Sequence, residues 1–262
     1  MVRDSSRPSR RFTNLVLLVG IASFIMWLRS GDRGGADEEP PAVDLSSIER
    51  EIGPGGGGAA REGIAAVVLM DVSGSMADSV PDASGSPRPK IDIAREAARA
   101  LVGQFAAYAA VHADEPVHVG LIEFSQRPPS AAREVIPLSP ADPARAADAL
   151  AKLRPDGGTP IGEAVIAAIH VLDGSGLTRR HLLVVTDGEN TDGREPEDVM
   201  RVLARRPEQR RPSVYFVAFD VSASRFNAVR EAGGLVLAAA NAVELDETLG
   251  ALLTGEILVE GR

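Results

Sequence analysis

The sequence predicts a doubly wound α/β domain, in which a mostly parallel sheet with one antiparallel edge strand carries helices on both faces. From residue 64 onward, short apolar runs rich in β-branched residues alternate with amphipathic stretches. The run Ile64 to Met70 is apolar at every position, which is typical of a strand buried on both faces. Two such runs lead directly into Asp71 and Asp187, as expected where parallel strands emerge at one edge of a sheet.

The predicted strands and helices alternate along the chain. The predicted strands are Ile64 to Met70, Val117 to Phe124, Glu134 to Leu138, His181 to Thr186, Val214 to Phe219 and Leu235 to Ala238. The predicted helices are Ile91 to Ala110, Ala141 to Leu153, Pro160 to Leu172, Pro196 to Arg205, Ser224 to Glu231 and Val243 to Leu253. Only a short turn separates the second strand from the third, so we expect the third to pair antiparallel at an edge.

Composition excludes several classes of protein. The chain has 262 residues, of which 44% are apolar and only 4% aromatic, so a sizeable core must consist mostly of Ala, Val, Leu and Ile. The net charge of -9 argues against a nucleic-acid-binding surface. The absence of cysteine excludes disulfides, thiolate zinc sites, cysteine nucleophiles and a lipid-bearing cysteine.

An uncharged apolar run near the N-terminus, Phe12 to Leu28, predicts a membrane anchor. Four arginines precede the run, which predicts a cytoplasmic N-terminus and places everything after residue 30 outside the cytoplasm. A cleaved signal peptide should end in a small-x-small site, but the run ends in Met26 to Arg29. A buried core helix should show a polar face, which the run lacks. An uncleaved signal anchor of a single-pass cell-membrane protein therefore fits best.

The stretch between this anchor and the domain resembles a linker. It contains an acidic, proline-containing patch (ADEEPPAVD), a short helical stretch from Leu45 to Glu51 and a run of glycines from Gly55 to Gly58. Such a composition cannot bury enough apolar surface to order itself. The predicted segments are a basic cytoplasmic tail (1–11), a transmembrane signal anchor (12–28), a flexible linker (29–62) and the α/β domain (63–260).

The first polar loop after a predicted strand carries alternating oxygen donors. Asp71, Ser73 and Ser75 can converge on one point if the chain bends after the strand, and Gly74 permits that bend. Carboxylate and hydroxyl oxygens suit Mg²⁺, Mn²⁺ or Ca²⁺. This loop therefore predicts part of a divalent-cation site.

Two further loops supply the same kind of donor. Asp187 follows the strand His181 to Thr186, and Thr159 opens a helix, where we expect it to act as the N-cap with Pro160 at the first helical position. The carboxylates of Asp71 and Asp187 together would roughly neutralise one divalent cation. Mg²⁺ keeps several waters, so one exchangeable position would remain for an outside ligand.

These three motifs, DVSGSM, GGTPIGEA and VVTDGEN, resemble the metal-ion-dependent adhesion site of von Willebrand factor A domains in order and spacing. The resemblance covers roughly residues 64 to 253. It implies a Mg²⁺ site, or one for Mn²⁺ or Ca²⁺, with the ligands Asp71, Ser73, Ser75, Thr159 and Asp187. It also implies that the metal binds an acidic side chain, Asp or Glu, of a partner protein, as in cell adhesion.

One stretch beside the site departs from the family pattern. The connection from Ala77 to Lys90 is longer than the short one usual in the family, and its Pro, Gly, Ser and Asp predict a surface loop. It is either a specificity loop beside the metal or a tolerated insertion.

Other polar residues are not expected to bind the metal. We expect Glu189 to be the residue after a turn, Glu123 to face solvent or a cap, and the four histidines to be ordinary surface or core residues. The arginine cluster from Arg205 to Arg211 is expected to be a solvated helix end. No lysine lies near the motifs in sequence, which argues against a metal-dependent hydrolase.

Three functions remain open at this stage. The motifs favour a membrane-anchored extracytoplasmic module that binds a protein through a divalent cation and is not an enzyme. The alternatives are an accessory or assembly subunit of a membrane or ATPase complex, and a metal-dependent hydrolase.

Overall fold

The computed structural model describes residues 44–55, 59–82, 84–127 and 130–259. Its strands are β1 (Arg61–Asp71), β2 (Ser79–Pro81), β3 (Pro87–Pro89), β4 (Val117–Phe124), β5 (Ala132–Pro140), β6 (Leu177–Thr186), β7 (Ser213–Phe219) and β8 (Leu235–Ala239). Its α-helices are α1 (Ser46–Ile52), α2 (Lys90–Val111), α3 (Pro143–Leu150), α4 (Ile161–Asp173), α5 (Pro196–Ala204), α6 (Asn227–Glu231) and α7 (Ala242–Leu252). Short 3₁₀ turns lie at Gly74–Ala77, Glu208–Arg210 and Ala223–Phe226, and a π-turn at Leu253–Ile257 follows α7.

Six strands form one sheet in the order β5-β4-β1-β6-β7-β8. Every neighbouring pair is parallel except β4 with β5, which is antiparallel at the edge. The chain leaves β1 toward β4 on one side and later returns to β6 on the other side. The order of the strands therefore reverses beside β1, and in open α/β sheets such a reversal marks the crevice where ligands bind, at the carboxyl ends of the strands.

Alternate residues of β1 belong to two different cores. Ala66, Val68 and Met70 pack with α2, α3 and α7, whereas Ala65, Val67 and Leu69 pack with α1, α4, α5 and α6. Side chains of a strand alternate between its faces, so the apolar stretch Ile64 to Met70 of β1 must be covered by helices on both sides. The doubly wound α/β prediction is confirmed, including its antiparallel edge strand.

The predicted flexible linker, 29–62, is wrong for the part that the structure describes between residues 44 and 55. Ile48 and Ile52 of α1 are buried in the core beside α4 and α5. Arg206 is also buried, and its Nε donates a 3.0 Å hydrogen bond to the carbonyl oxygen of Gly53. Arg205 pairs with Glu49 of the same helix.

The arginine cluster itself is partly buried. We expected residues 205–211 to be a solvated helix end, yet the side chain of Arg206 is only 1% exposed and binds Asp173 at 2.8 Å. Buried guanidinium groups need partners for their five donors, and the C-terminal end of α1 supplies two of them, the carbonyl groups of Ile52 and Gly53.

The stretch predicted as a surface loop from Ala77 to Lys90 forms a short antiparallel hairpin of β2 and β3. Its turn is organised by the Asp82 carboxylate, which accepts hydrogen bonds from the backbone N–H groups of Ser84 and Ser86 at 2.8 and 3.0 Å. Asp and Ser commonly close turns in this way. Lys90, the last residue of the stretch, begins α2 and is buried rather than exposed.

The predicted anchor at 12–28 and the cytoplasmic tail lie outside the described residues. Within the part of the chain that the structure describes, no helix is both long and apolar enough to cross a membrane.

Candidate metal site at the carboxyl edge of the sheet

Asp71 ends β1 and is the most deeply buried of the predicted ligands. Its Oδ1 accepts a 2.7 Å hydrogen bond from the backbone N–H of Ser73, and its Oδ2 accepts a 2.6 Å bond from the Thr186 hydroxyl. Burial raises the pKa of the Asp71 carboxyl from 3.8 to about 6, although the bonds from Ser73 and Thr186 lower it and the Asp187 charge raises it. A buried carboxylate beside a second carboxylate is an environment that a cation stabilises.

A chain of close contacts joins the first motif to the third. The hydroxyl oxygens of Ser73 and Ser75 are 3.2 Å apart, and the Ser75 hydroxyl donates a 2.8 Å hydrogen bond to Asp187 Oδ1. Ser75 and Asp187 are 112 positions apart in the sequence. They meet because Asp187 directly follows β6, the neighbour of β1 in the sheet.

The loop that carries Thr159 is held against the first motif by its backbone. The N–H of Gly74 donates to the carbonyl oxygen of Gly157 at 2.9 Å, and the N–H of Asp156 donates to that of Val72 at 2.8 Å. Thr159 is 5% exposed, and a Cβ added to Gly188 would lie 3.6 Å from its hydroxyl oxygen. The Thr159 hydroxyl therefore lies beside the residue that follows Asp187.

Thr159 is not the helix cap that we expected. Helix α4 begins at Ile161, and the Asn190 side-chain oxygen accepts the N–H of Ile161 at 2.8 Å in place of a local cap. The Thr191 hydroxyl accepts the N–H of Thr159 at 2.7 Å. The third motif therefore supplies the cap of α4 through Asn190, in place of Thr159.

The structure also contradicts the expectation that no lysine lies near the motifs. Lys90 Nζ is 2.9 Å from Asp187 Oδ2 and 2.9 Å from Asp220 Oδ2. Burial lowers the pKa of Lys90, but hydrogen bonds to Asp220 and Asp187 outweigh that effect and raise it above its usual value. Sequence reasoning missed this contact because no local pattern links positions 97 residues apart.

Asp220 was also missed. It follows β7, the next strand of the sheet, and is the only non-glycine residue in the described part of the chain with a positive φ, 54°. Asp tolerates this left-handed conformation better than most residues, and its N–H donates to the carbonyl oxygen of Ala239 at 2.8 Å. Three adjacent strands, β1, β6 and β7, are thus each followed or ended by an aspartate at the same sheet edge.

The acidic residues that we set aside as ligands have other partners. Glu189 pairs with Arg225 near the surface. Glu123 does not face solvent as expected: it is buried, and its Oε1 accepts hydrogen bonds from Arg133 at 2.7 and 2.9 Å. Among the described residues, no three His, Cys, Asp or Glu side chains cluster in a way that could hold a metal. A cation here would depend on hydroxyl oxygens as well as carboxylates.

The donor set fits a hard divalent cation. Asp71 and Asp187 supply two carboxylates and Ser73, Ser75 and Thr159 supply three hydroxyls, all of them oxygens. Burial of the Asp71 carboxylate, with a smaller contribution from the nearby charge of Asp187, is the unfavourable effect that a cation would relieve.

A comparison with known families agrees with this architecture. Residues 66–189, which include all the predicted ligands, match the family model for the von Willebrand factor type A domain. Over that stretch the chain is similar to a von Willebrand factor type A domain. No curated protein matches the chain.

Solved structures share the fold at low sequence identity. A von Willebrand factor type A protein from Catenulispora acidiphila is 22% identical over 72% of this chain and 41% of its own, with a TM-score of 0.54. The PilB minor pilin from Streptococcus sanguinis is 16% identical over 79% of this chain and 65% of its own, with a TM-score of 0.57. An aerotolerance-related membrane protein from Bacteroides fragilis is 18% identical over 75% of this chain and 98% of its own, with a TM-score of 0.55. The chain thus spans less than two thirds of the length of the first two proteins.

Proposed function

We propose that the domain binds a divalent cation, Mg²⁺ or else Mn²⁺ or Ca²⁺, through Asp71, Ser73, Ser75, Thr159 and Asp187. The observation that carries this proposal is the contact of Ser75 with Ser73 at 3.2 Å and with Asp187 at 2.8 Å, which brings the donors of two sheet strands together. The cation would bind an Asp or Glu side chain of a partner protein, because it keeps a coordination position that the domain does not fill.

Mn²⁺ binding to the full-length chain in detergent, measured by isothermal titration calorimetry, tests the metal site. Asp187→Ala should abolish the binding, whereas Asp246→Ala, which removes an exposed carboxylate on α7, should leave it unchanged. Circular dichroism should show both variants folded. Wild-type protein that takes up no Mn²⁺, Mg²⁺ or Ca²⁺ would exclude the site.

Partner binding is tested separately by a pull-down from membranes. Capture of a partner should be lost in EDTA and with Asp187→Ala, and retained with Asp246→Ala. Capture that persists in EDTA and with Asp187→Ala would remove the metal from the interaction while leaving the calorimetric result intact.

The domain would work outside the cytoplasm, anchored by the apolar run Phe12 to Leu28. Membrane fractionation after expression in bacteria should find the chain in the membrane fraction, and protease added to spheroplasts should cleave the domain. A chain that is protected in spheroplasts would contradict this orientation.

A metal-dependent hydrolase is the second candidate, and Lys90 is the observation that favours it, since a lysine beside paired carboxylates occurs in phosphoryl-transfer sites. We propose instead that the site is not catalytic, because Lys90 is held by Asp187 and Asp220. A panel of aryl phosphates and esters with Mg²⁺ or Mn²⁺ should show no turnover above that of Asp187→Ala. Turnover abolished by Asp187→Ala and Lys90→Met would favour the hydrolase.

A further inference from the structure

Lys90 connects the predicted metal ligands to a carboxylate outside the predicted set. Its ammonium group lies between Asp187 Oδ2 and Asp220 Oδ2, 2.9 Å from each. The other oxygen of Asp187, Oδ1, accepts the hydroxyl of Ser75. One carboxylate therefore faces the metal ligands with one oxygen and the lysine with the other.

The position of Lys90 is fixed by its surroundings. Its backbone N–H donates a 2.8 Å hydrogen bond to the carbonyl oxygen of Asp78, at the end of the turn that follows the first motif. Its side chain is 9% exposed, and that of Asp187 is fully buried. An ammonium group held in this way is a permanent part of the site rather than a mobile surface charge.

Lys90 partly balances the negative charges of the aspartates at this edge of the sheet. Asp71, Asp187 and Asp220 carry three negative charges when ionised, and Lys90 carries one positive charge. Two negative charges then remain, which one divalent cation would neutralise. Without Lys90 these three carboxylates would attract a divalent cation more strongly. With neither Lys90 nor a divalent cation present, the three carboxylates would have no positive charge to balance them.

We propose that Lys90 is a built-in counter-cation, which stabilises the metal-free site through Asp187 and Asp220 and lowers the affinity of the site for its divalent cation. This inference rests on the proposed metal function and names the residue that sets the affinity. The resulting weaker site would load and release its cation without loss of the fold.

Three variants of the full-length chain, with Mn²⁺ as the probe, test this role. Lys90→Met removes the charge with similar bulk, Lys90→Arg retains it, and Asp220→Asn leaves Lys90 paired with Asp187 alone. We expect Lys90→Met to bind Mn²⁺ roughly tenfold or more tightly, since one nearby charge changes a binding constant by about that factor. Asp220→Asn should bind Mn²⁺ more weakly, and Lys90→Arg should stay within about threefold of the wild type.

Stability gives a second, independent measurement. In EDTA, Lys90→Met should unfold at a lower urea concentration than the wild type, and saturating Mn²⁺ should raise its midpoint more than that of the wild type. This comparison remains informative if Lys90→Met is poorly folded without metal. If Lys90 only supported the fold, Lys90→Met would bind Mn²⁺ more weakly than the wild type and not more tightly.

The outcomes separate the two proposals. Unchanged or weaker Mn²⁺ binding by Lys90→Met, with normal binding by the wild type, would overturn the role of Lys90 and leave the metal site standing. If neither protein bound Mn²⁺, Mg²⁺ or Ca²⁺, the metal site and the role of Lys90 would both be rejected.

Discussion

The hydroxyl of Thr186 holds the buried carboxylate of Asp71 from the neighbouring strand at 2.6 Å. Thr186→Val keeps the shape of the side chain but leaves a buried carboxylate oxygen without this donor. We expect the free energy of unfolding in EDTA, measured with urea, to fall by about 1–3 kcal/mol.

Thr186→Ser is the matched control, because it retains the hydroxyl and loses only a methyl group. Its loss should be clearly smaller than that of Thr186→Val. Equal losses for the two variants would mean that the methyl group, and not the hydrogen bond to Asp71, provides the stability.

The candidate ligands predicted from the sequence are those whose signal is local. Asp71, Ser73 and Ser75 lie within five positions directly after an apolar strand, so their spacing alone indicates a shared role. Lys90 and Asp220 carry no such signal, because the contact between them depends on the order of β6 and β7 in the sheet and on the start of α2. The cap supplied by Asn190 to α4 was missed for the same reason.

Helix α4 is packed closely against the loop that follows Asp187. A Cβ on Gly162, in the first turn of α4, would collide with the carbonyl oxygen of Arg194. In an open helix position, Gly→Ala stabilises by up to about 1 kcal/mol. We expect Gly162→Ala to lower the free energy of unfolding instead and to weaken Mn²⁺ binding, because the loop must shift.

Gly103, within α2, supplies the comparison, since an added Cβ there would meet no atom within 4 Å. Gly103→Ala should raise the free energy of unfolding and leave Mn²⁺ binding unchanged. If Gly162→Ala and Gly103→Ala were stabilised alike, the close approach of Gly162 to the loop at Arg194 would be contradicted.

The strands β1, β6 and β7 were predictable from the sequence, because burial on both faces of the sheet produces short continuous runs of apolar residues. The docking of α1 was not predictable from composition. Its flanks are rich in Gly, Pro and acidic residues, but Ile48 and Ile52 are one helical turn apart and meet an apolar surface between α4 and α5. Tertiary contact, not local preference, decides whether so short a helix forms.

The packing of α1 against α4 and α5 predicts that α1 unfolds cooperatively with the rest of the domain. Ile52 is 3% exposed, and Ile52→Ala should lower the free energy of unfolding by about 2 kcal/mol or more, measured with urea. Val111→Ala, at a position that is 76% exposed, should change it little. No loss with Ile52→Ala would show that α1 detaches without cost to the fold.

The acid sensitivity of the whole domain should depend on His181, which is fully buried in β6. Burial, with a smaller effect of the Arg179 charge, lowers its pKa from 6.5 to about 3. Between these two values the unfolded chain binds a proton that the folded chain does not. The free energy of unfolding therefore falls as the pH drops below about 6.5, and the loss is complete near the folded pKa.

Asp71 acts in the opposite direction, so the raw pH curve of the metal-free protein does not isolate His181. The raised pKa of Asp71 means that the folded state binds the extra proton between 3.8 and about 6, which stabilises it as the pH falls. The difference in unfolding free energy between the wild type and His181→Leu, measured with urea in EDTA, cancels that contribution. This difference should shift against the wild type as the pH falls from 7 to 5. A constant difference would mean that the pKa of His181 is the same in the folded and the unfolded chain.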